Sequence, residues 1–188
     1  GIVGAVKSTL TAPGLPQRPK VEALALSDEQ LAAMEQRLVV YYSGQQRLAR
    51  DILRRVMGSW LARQPSVVML LEELKKSAAM LRAALLRSQW ALAARQIGRY
   101  WQIKKELFSG STTPTIDVLL LELRDDYLAA GLAGAGGGGF AYFFCRDAKQ
   151  AVRLRARLGD VSSRPGSMGT LYETRINRRG LVVASRGV

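Results

Sequence analysis

Long stretches of the chain carry apolar residues at helical spacing. Between residues 47 and 63 an apolar residue recurs at every fourth position and is flanked by others, which forms one wide stripe (Leu48, Ile52, Leu53, Val56, Met57, Trp60 and Leu61). Residues 66–88 and 90–108 repeat the pattern. A recurrence close to 3.6 residues predicts amphipathic helices that each bury one face. The chain is therefore expected to contain a cluster of long helices, with Gln64-Pro65 separating the first two.

Short β-branched and aromatic runs predict buried strands at 38–42 and 140–145. Weaker runs predict strands at 1–7 and 21–26, and a closing hairpin from 171–176 and 181–184. Further helices are expected to begin after Ser27, Thr113 and Asp147 and to end near residues 36, 127 and 158. Together these elements predict an α+β fold, a mostly antiparallel sheet packed against about four long helices.

One stretch is dominated by glycine: Gly134-Ala135-Gly136-Gly137-Gly138-Gly139, called the glycine loop below. Glycine loses more conformational entropy on folding than any other residue, so four in succession indicate that this loop needs a particular shape. Successive free amides in such a loop can form an anion-binding nest. We expect the loop to face solvent between the Thr113 helix and the Phe140 strand, with its amides only partly paired. A tight hairpin without function is the alternative.

Two common phosphate motifs do not fit the glycine loop. Gly134, Gly136 and Gly139 match the spacing of the dinucleotide fingerprint, but that motif opens a helix, whereas a predicted strand follows Gly139. A P-loop requires Gly-Lys-Ser/Thr after its glycines, and this triplet is absent. The pattern therefore predicts a loop joining two strands, or a short turn leading into one.

The amino-acid composition excludes some catalytic mechanisms and makes others improbable. The chain has 188 residues, one Cys, no His and a formal net charge of +13. The missing His removes Ser-His and Cys-His nucleophile pairs. Cys145 follows two Phe in a predicted core strand, so we expect a small buried side chain rather than a nucleophile. The single Cys suits a reducing compartment, and the expected localisation is cytoplasmic. The basic residues are dispersed, which favours solvated helix faces over a nucleic-acid surface.

Three basic side chains stand at informative positions. Lys104 follows Tyr100 by four residues and lies in line with the apolar stripe of its helix, so its head either extends to the rim of the core or faces a site, and spacing favours the rim. Arg47 and Arg50 stand at a helix start, where cations are unfavourable unless an anion binds nearby or solvent surrounds them.

Several stretches resemble the GHMP kinases, and within that superfamily the L-fucokinases and heptose 7-phosphate kinases. Residues 134–140 are similar to the third, C-terminal motif of the superfamily. Residues 39–53, 100–105, 4–7 and 12–16 are similar to fucokinase segments in the same order. Ser43 stands where the family often has Thr, which keeps the hydroxyl. The resemblance extends from Gly1 to about Leu158.

The resemblance implies the C-terminal domain of a two-domain, ATP- and Mg-dependent sugar kinase. Residues 1–188 would form that domain, with 1–26 the tail of the preceding domain or inter-domain strands and 159–188 the closing hairpin. The glycine loop, residues 134–139, would shape the transfer site, with Ser43, Gly44, Arg47 and Lys104 in the vicinity of substrate or phosphate.

The expected partners are the missing N-terminal kinase domain, which would supply the phosphate loop and the catalytic carboxylate, and a sugar. This fragment would hold no metal, no catalytic residue and no bound cofactor. The implied reaction is the phosphorylation of L-fucose to L-fucose 1-phosphate. Arabinose or heptose kinases, a basic nucleic-acid-binding module without catalysis and a helical interaction domain remain alternatives. No membrane partner is expected, because no apolar run approaches the ~20 residues that span a bilayer.

Overall fold

The computed structural model of the chain describes residues 4–45 and 49–180. The helices are α1 (Asp28–Arg37), α2 (Ala49–Leu61), α3 (Pro65–Leu86), α4 (Trp90–Leu107), α5 (Pro114–Glu122) and α6 (Ala148–Ser162). The strands are β1 (Lys7–Leu10), β2 (Lys20–Ala23), β3 (Leu38–Tyr42), β4 (Ala129–Leu132), β5 (Phe140–Phe144) and β6 (Thr170–Tyr172). None of the described helices is both long enough and apolar enough to cross a lipid bilayer.

Four strands form one antiparallel sheet in the order β4-β5-β3-β6. Side chains alternate between the two faces of a sheet, so residues in register share a face. Val39 lies opposite Phe143, and Phe143 lies opposite Ala130. This face packs against α5 and α6 through Ile116, Leu119, Ala151, Leu154 and Leu158, which are almost completely buried. The main core of the fold therefore lies between the sheet and these two helices.

The opposite face of the sheet packs against α4. Phe144 and Ala129 are buried there with Ala94, and Trp90 lies beside the Phe144 ring. Small residues permit a close approach: a side chain at Gly131 would meet the Tyr142 hydroxyl and the Trp101 Cβ. Because β4 presents only Ala129 and Gly131 on this face, α4 packs closely against it, and the last turn of α4 lies near the end of β4.

The remaining elements surround this framework. β1 and β2 form a separate antiparallel ribbon, and Leu24, just after β2, is buried against Ala84 and Leu85 of α3. The start of α1 is closed by the expected capping box, in which the Ser27 hydroxyl accepts from the Gln30 amide while the Gln30 side chain accepts from the Ser27 amide. The α+β fold, its antiparallel sheet and its long helices are confirmed.

Several predicted boundaries were wrong. The first described strand is Lys7–Leu10 rather than residues 1–7, of which 1–3 lie outside the described residues, and the second ends at Ala23. α6 continues to Ser162 because its apolar spacing extends past Leu158 to Val161. The closing hairpin is reduced to a three-residue strand, Thr170–Tyr172, and its second arm, 181–184, lies outside the described residues.

Two further corrections concern the helices and their connections. The Thr113 helix ends at Glu122 rather than near residue 127, and the short strand β4 stands between it and the glycine loop. Of the two alternatives given for the loop, the one that joins two strands is therefore correct. The apolar stripe of α2 is largely open: Met57 is 61% and Leu61 68% exposed. Periodicity identified the helix correctly, but it does not show whether another element covers the stripe.

Candidate functional site

The glycine loop joins β4 to β5 as a strand–loop–strand connection, and no helix starts within it. All five of its glycines have positive φ. Two also lack room for a side chain: a Cβ at Gly136 would overlap the Ser111 carbonyl oxygen, and one at Gly138 would lie 2.8 Å from the Gln45 carbonyl oxygen. Glycine at these two positions is therefore required both by conformation and by space.

Backbone hydrogen bonds hold the second half of the loop against two other segments. The Gly137 amide donates to the Ser111 carbonyl at 2.7 Å. The Gly139 amide donates to the Gln45 carbonyl at 2.7 Å, and the Gly139 carbonyl accepts from the Ser43 amide at 2.9 Å. The loop thus lies between the end of β3 and the segment that precedes α5. Gly137 and Gly138 are buried in consequence, so the expectation of a wholly solvent-facing loop was wrong.

Lys104 holds the start of the same loop. Its ammonium donates to the Leu132 carbonyl at 2.9 Å and to the Gly134 carbonyl at 2.8 Å. It also lies 5.3 Å above the Tyr100 ring and 5.4 Å from the Trp101 ring, within cation–π range. The side chain is only 8% exposed. The interpretation favoured by spacing, a head at the rim of the core, was wrong.

Among the residues that the structure describes, none acts as a counter-ion for Lys104. No described carboxylate pairs with it, and burial lowers the pKa of its ammonium to about 8. Removal from water penalises a charged lysine, while the carbonyl dipoles and the aromatic faces partly offset that cost. The beginning of the glycine loop therefore rests on an uncompensated positive charge.

Two hydroxyls connect these contacts to one another. The Ser111 hydroxyl is buried and donates to the Lys104 carbonyl at 3.1 Å. The Thr113 hydroxyl donates to the Gln45 side-chain oxygen at 3.0 Å and accepts from the Ile116 amide as the N-cap of α5. The loop, α4, the start of α5 and the end of β3 thus form one connected hydrogen-bonded unit.

Part of the loop retains unused donors. The amides of Gly134, Ala135 and Gly138 donate to no described residue. Free amides in a loop of glycines with positive φ, near a buried ammonium, can attract an anion. The donor set fits a phosphate oxygen. It does not fit a divalent cation, since no group of three His, Cys, Asp or Glu suited to a metal occurs among the residues described.

Of the other predicted site residues that the structure describes, only Ser43 forms a hydrogen bond with the glycine loop. Ser43 reaches the loop through its amide, and its hydroxyl accepts from the Gln45 amide at 3.3 Å. Gly44 has a φ of 75°, and a Cβ on it would overlap Met168. Arg47 lies outside the described residues, as does the side chain of Arg50.

Sequence reasoning missed Gln45 and Ser111, and recognised Thr113 only as a cap. All three act on the loop through main-chain oxygens or short polar side chains, which leave little trace in a sequence pattern. The one usable signal was Lys104, whose position in line with the apolar stripe of α4 allowed a head that faces a site as well as one at the rim of the core.

Several arginines form ion pairs away from the glycine loop. Arg164 pairs with Glu122, and Arg157 with Asp126. Arg99 contacts Glu73, Arg82 contacts Glu22 and Arg178 contacts Asp28. These pairs are spread over the surface, as expected for solvated helix faces. Cys145 is fully buried, its thiol donates weakly to the Asp126 carbonyl, and burial raises its pKa to about 11.

Comparison with known proteins agrees with this geometry. Residues 81–162, which include α4, Lys104 and the glycine loop, match the family model described as GHMP kinases C terminal. This segment is a GHMP kinase C-terminal domain.

Two curated relatives match a larger part of the chain. A bifunctional fucokinase/GDP-fucose pyrophosphorylase of Arabidopsis thaliana is 32% identical over 84% of this chain. An L-fucokinase/L-fucose-1-P guanylyltransferase of Bacteroides fragilis is 29% identical over 98%. The chain spans only 15% and 19% of the lengths of these two proteins. The region that matches this chain is thus a small part of each of these longer polypeptides.

Solved structures show the same fold. A mevalonate kinase from L. major in complex with R-mevalonate superposes with a TM-score of 0.65 at 16% identity and covers 81% of this chain and 44% of its own. A putative sugar kinase from Campylobacter jejuni gives a TM-score of 0.56 at 21% identity and covers 87% of this chain and 43% of its own. The GHMP kinase C-terminal fold predicted from the motifs is therefore confirmed.

Proposed function

We propose that this chain is the C-terminal part of an ATP-dependent sugar 1-kinase that converts L-fucose to L-fucose 1-phosphate. The observation that carries the proposal is the convergence of Ser43, Lys104 and the glycine loop in one hydrogen-bonded unit with unused amides. The fucokinase relatives support the choice of sugar.

The residues of this chain would act by positioning and by charge. Phosphoryl transfer requires little covalent chemistry from the protein, and most of its catalysis is alignment and electrostatic stabilisation. The amides of Ala135 and Gly138 would donate to phosphate oxygens of ATP, and the buried Lys104 ammonium would add positive potential. The fixed loop would need no reorganisation as charge develops.

The remaining parts of the reaction are assigned to a preceding domain of the same polypeptide. ATP and Mg²⁺ would supply the transferred phosphoryl group and the neutralising cation. The described residues offer no metal cluster, so the metal ligands, the phosphate loop and the base that accepts the proton of the sugar hydroxyl would belong to that domain. Residues 1–188 would then form the second side of a cleft, with Ser43, Gly44 and Arg47 near the substrate. The isolated chain would be inactive.

A heptose kinase is the second candidate. A D-glycero-alpha-D-manno-heptose 7-phosphate kinase of Campylobacter jejuni is 27% identical over 74% of this chain. The match covers 41% of the length of that kinase. A heptose 7-phosphate carries an additional dianion, so a kinase that uses it would need a further cationic contact for the second phosphate. Substrate discrimination therefore separates the two candidates.

The test is a substrate panel assayed with the longer polypeptide that contains this chain. ATP and Mg²⁺ are supplied with L-fucose, D-arabinose or a heptose 7-phosphate, and products are identified by ³¹P NMR. We expect the highest kcat/KM with L-fucose and an anomeric phosphate as product. The matched control is 1-deoxy-L-fucose, which lacks the accepting hydroxyl and should give no product. A preference for the heptose would favour the second candidate, and phosphorylation of none of the sugars would overturn the proposal.

A further inference from the structure

The carbonyl groups bound by Lys104 determine where the neighbouring amides point. A peptide unit is planar and trans, so its carbonyl and its N–H point in opposite directions. The Gly134 carbonyl points at the ammonium, at 2.8 Å. The Ala135 N–H, in the same peptide unit, must therefore point away from Lys104. It is one of the amides that donate to no described residue.

The peptide unit between Leu132 and Ala133 shows the same opposed arrangement, and here the amide has a partner. The Leu132 carbonyl accepts from Lys104, and the Ala133 amide of that peptide unit points the other way and donates to the Phe140 carbonyl at 2.8 Å. Lys104 thus fixes two peptide units, of which the first closes the β4–β5 connection and the second presents a free donor.

A buried lysine is energetically unfavourable at a position that serves only to pack the core. Burying an ammonium without a carboxylate partner costs free energy, and an apolar residue of similar length often packs as well or better. The side chain lies among Tyr100, Trp101 and the end of β4, where a methionine would have apolar neighbours. The presence of a charged side chain here therefore indicates that its two hydrogen bonds, and the orientation that they impose on the loop, serve a function.

We propose that Lys104 is a positioning residue that sets the glycine loop for phosphate binding, acting through the Leu132 and Gly134 carbonyls. Its charge also raises the potential within the loop. Lys104 does not contact the transferred phosphoryl group and is not itself a catalytic residue. The phosphate-binding part of this inference rests on the proposed function, whereas the loop-setting part does not.

The experiment compares Lys104→Met with Lys105→Met in the longer polypeptide. Lys105 is the matched control, since it is the next residue on α4 and lies 5.9 Å from the Trp101 ring but has no described hydrogen bond to the loop. Hydrogen exchange is measured for peptides covering residues 132–139 and, as an internal reference, 141–144 of β5. ATP-dependent kinetics are measured in parallel.

In Lys104→Met we expect exchange in 132–139 to accelerate about tenfold or more, as local opening of the anchored amides becomes easier, with β5 unchanged. The KM for ATP should rise and kcat should fall by about tenfold each, because the loop shapes both binding and transfer. Lys105→Met should alter neither. Lys104→Gln, which keeps a donor without the charge, should restore the exchange protection in part and serves as the test variant if the Met variant does not fold.

Two results would overturn the inference. Unchanged exchange in residues 132–139 would show that Lys104 does not set the loop, whatever happens to activity. Faster exchange throughout β5 as well would reduce Lys104 to a general contributor to stability. If the wild-type polypeptide phosphorylates no sugar, the proposed function fails, but the exchange comparison still decides whether Lys104 sets the loop.

Discussion

Ser111 accepts the Gly137 amide at its carbonyl oxygen, 2.7 Å away, and its hydroxyl donates to the main chain of Lys104. One buried residue therefore links the middle of the glycine loop to the end of α4. The close approach at this point leaves no room for a side chain on the neighbouring Gly136. The loop is thus shaped by contacts from outside itself, and substitutions within it should differ sharply in effect.

Gly136→Ala should impair the loop much more than Gly134→Ala. Both glycines have positive φ, so each substitution carries a conformational cost of about 1 kcal/mol. Only the Cβ at Gly136 would also overlap a backbone oxygen, that of Ser111; nothing lies within 4 Å of a Cβ at Gly134. We expect kcat/KM of the longer polypeptide to fall by about 10²-fold for Gly136→Ala, since small displacements of positioning groups are costly.

The control in that experiment is Gly134→Ala, for which we expect a loss of about fivefold or less, the equivalent of the conformational cost of about 1 kcal/mol alone. Equal losses in both variants would mean that φ alone, and not the contact with Ser111, limits the loop.

Thr113→Ala should affect both stability and the site. The hydroxyl caps α5 and also donates to Gln45, whose carbonyl holds the Gly139 amide. Loss of an N-cap costs about 1 kcal/mol of unfolding free energy, measurable by urea denaturation of the chain. Asp147→Ala removes the cap of α6, remote from the loop. Asp147→Ala should lower the unfolding free energy by the same amount and leave kcat/KM unchanged, whereas Thr113→Ala should lower kcat/KM as well. A similar kcat/KM for the two variants would refute the role of the Thr113–Gln45 contact.

The stability of the chain should depend on pH through Lys104. Its folded pKa of about 8 lies below the ordinary 10.5. Between these values the unfolded chain binds a proton that the folded chain has released, so the unfolding free energy contributed by Lys104 rises as the pH increases through this window. Compared with Lys104→Met, wild type should gain on the order of 1–2 kcal/mol between pH 8 and pH 10.

Nearby titrating groups should not obscure that difference. Burial raises the pKa of Tyr100 and of Tyr142, so their ionisation destabilises the fold only as the pH exceeds the ordinary value of 10.0. Both tyrosines are present in wild type and in Lys104→Met, and their contributions cancel in the comparison. A wild-type urea midpoint that falls relative to the variant between pH 8 and pH 10 would contradict the account.

Cys145 should be unreactive in the folded chain. It is the single cysteine, it is fully buried, and its raised pKa keeps it protonated at neutral pH. Because the thiolate is the reactive species, iodoacetamide should label the native chain at least about 10²-fold more slowly than the urea-unfolded chain. Rapid native labelling would place the Phe140–Phe144 strand and its neighbours outside the core.

The sequence predicted the parts of this structure that depend on local patterns. The strand 38–42, the capping box at Ser27 and Gln30 and the buried Cys145 were all correct, because periodicity, capping chemistry and residue type determine them nearby. A strand before the glycine loop was only one of two alternatives and its bounds were not predicted, because Ala129-Ala130-Gly131-Leu132 has little intrinsic strand preference and forms through pairing with β5. The head of Lys104 was misplaced because its partners are main-chain carbonyls 28 and 30 residues away.

We propose that this chain supplies the glycine-loop side of a sugar-kinase cleft and that a preceding domain supplies the rest. The direct measurement is L-fucose 1-phosphate formation from ATP, Mg²⁺ and L-fucose by the purified 188-residue chain, by the preceding portion, and by the two mixed. We predict no turnover by either part alone and turnover in the mixture that Gly136→Ala abolishes. Turnover by the chain alone, or a mixture indifferent to Gly136→Ala, would contradict the account.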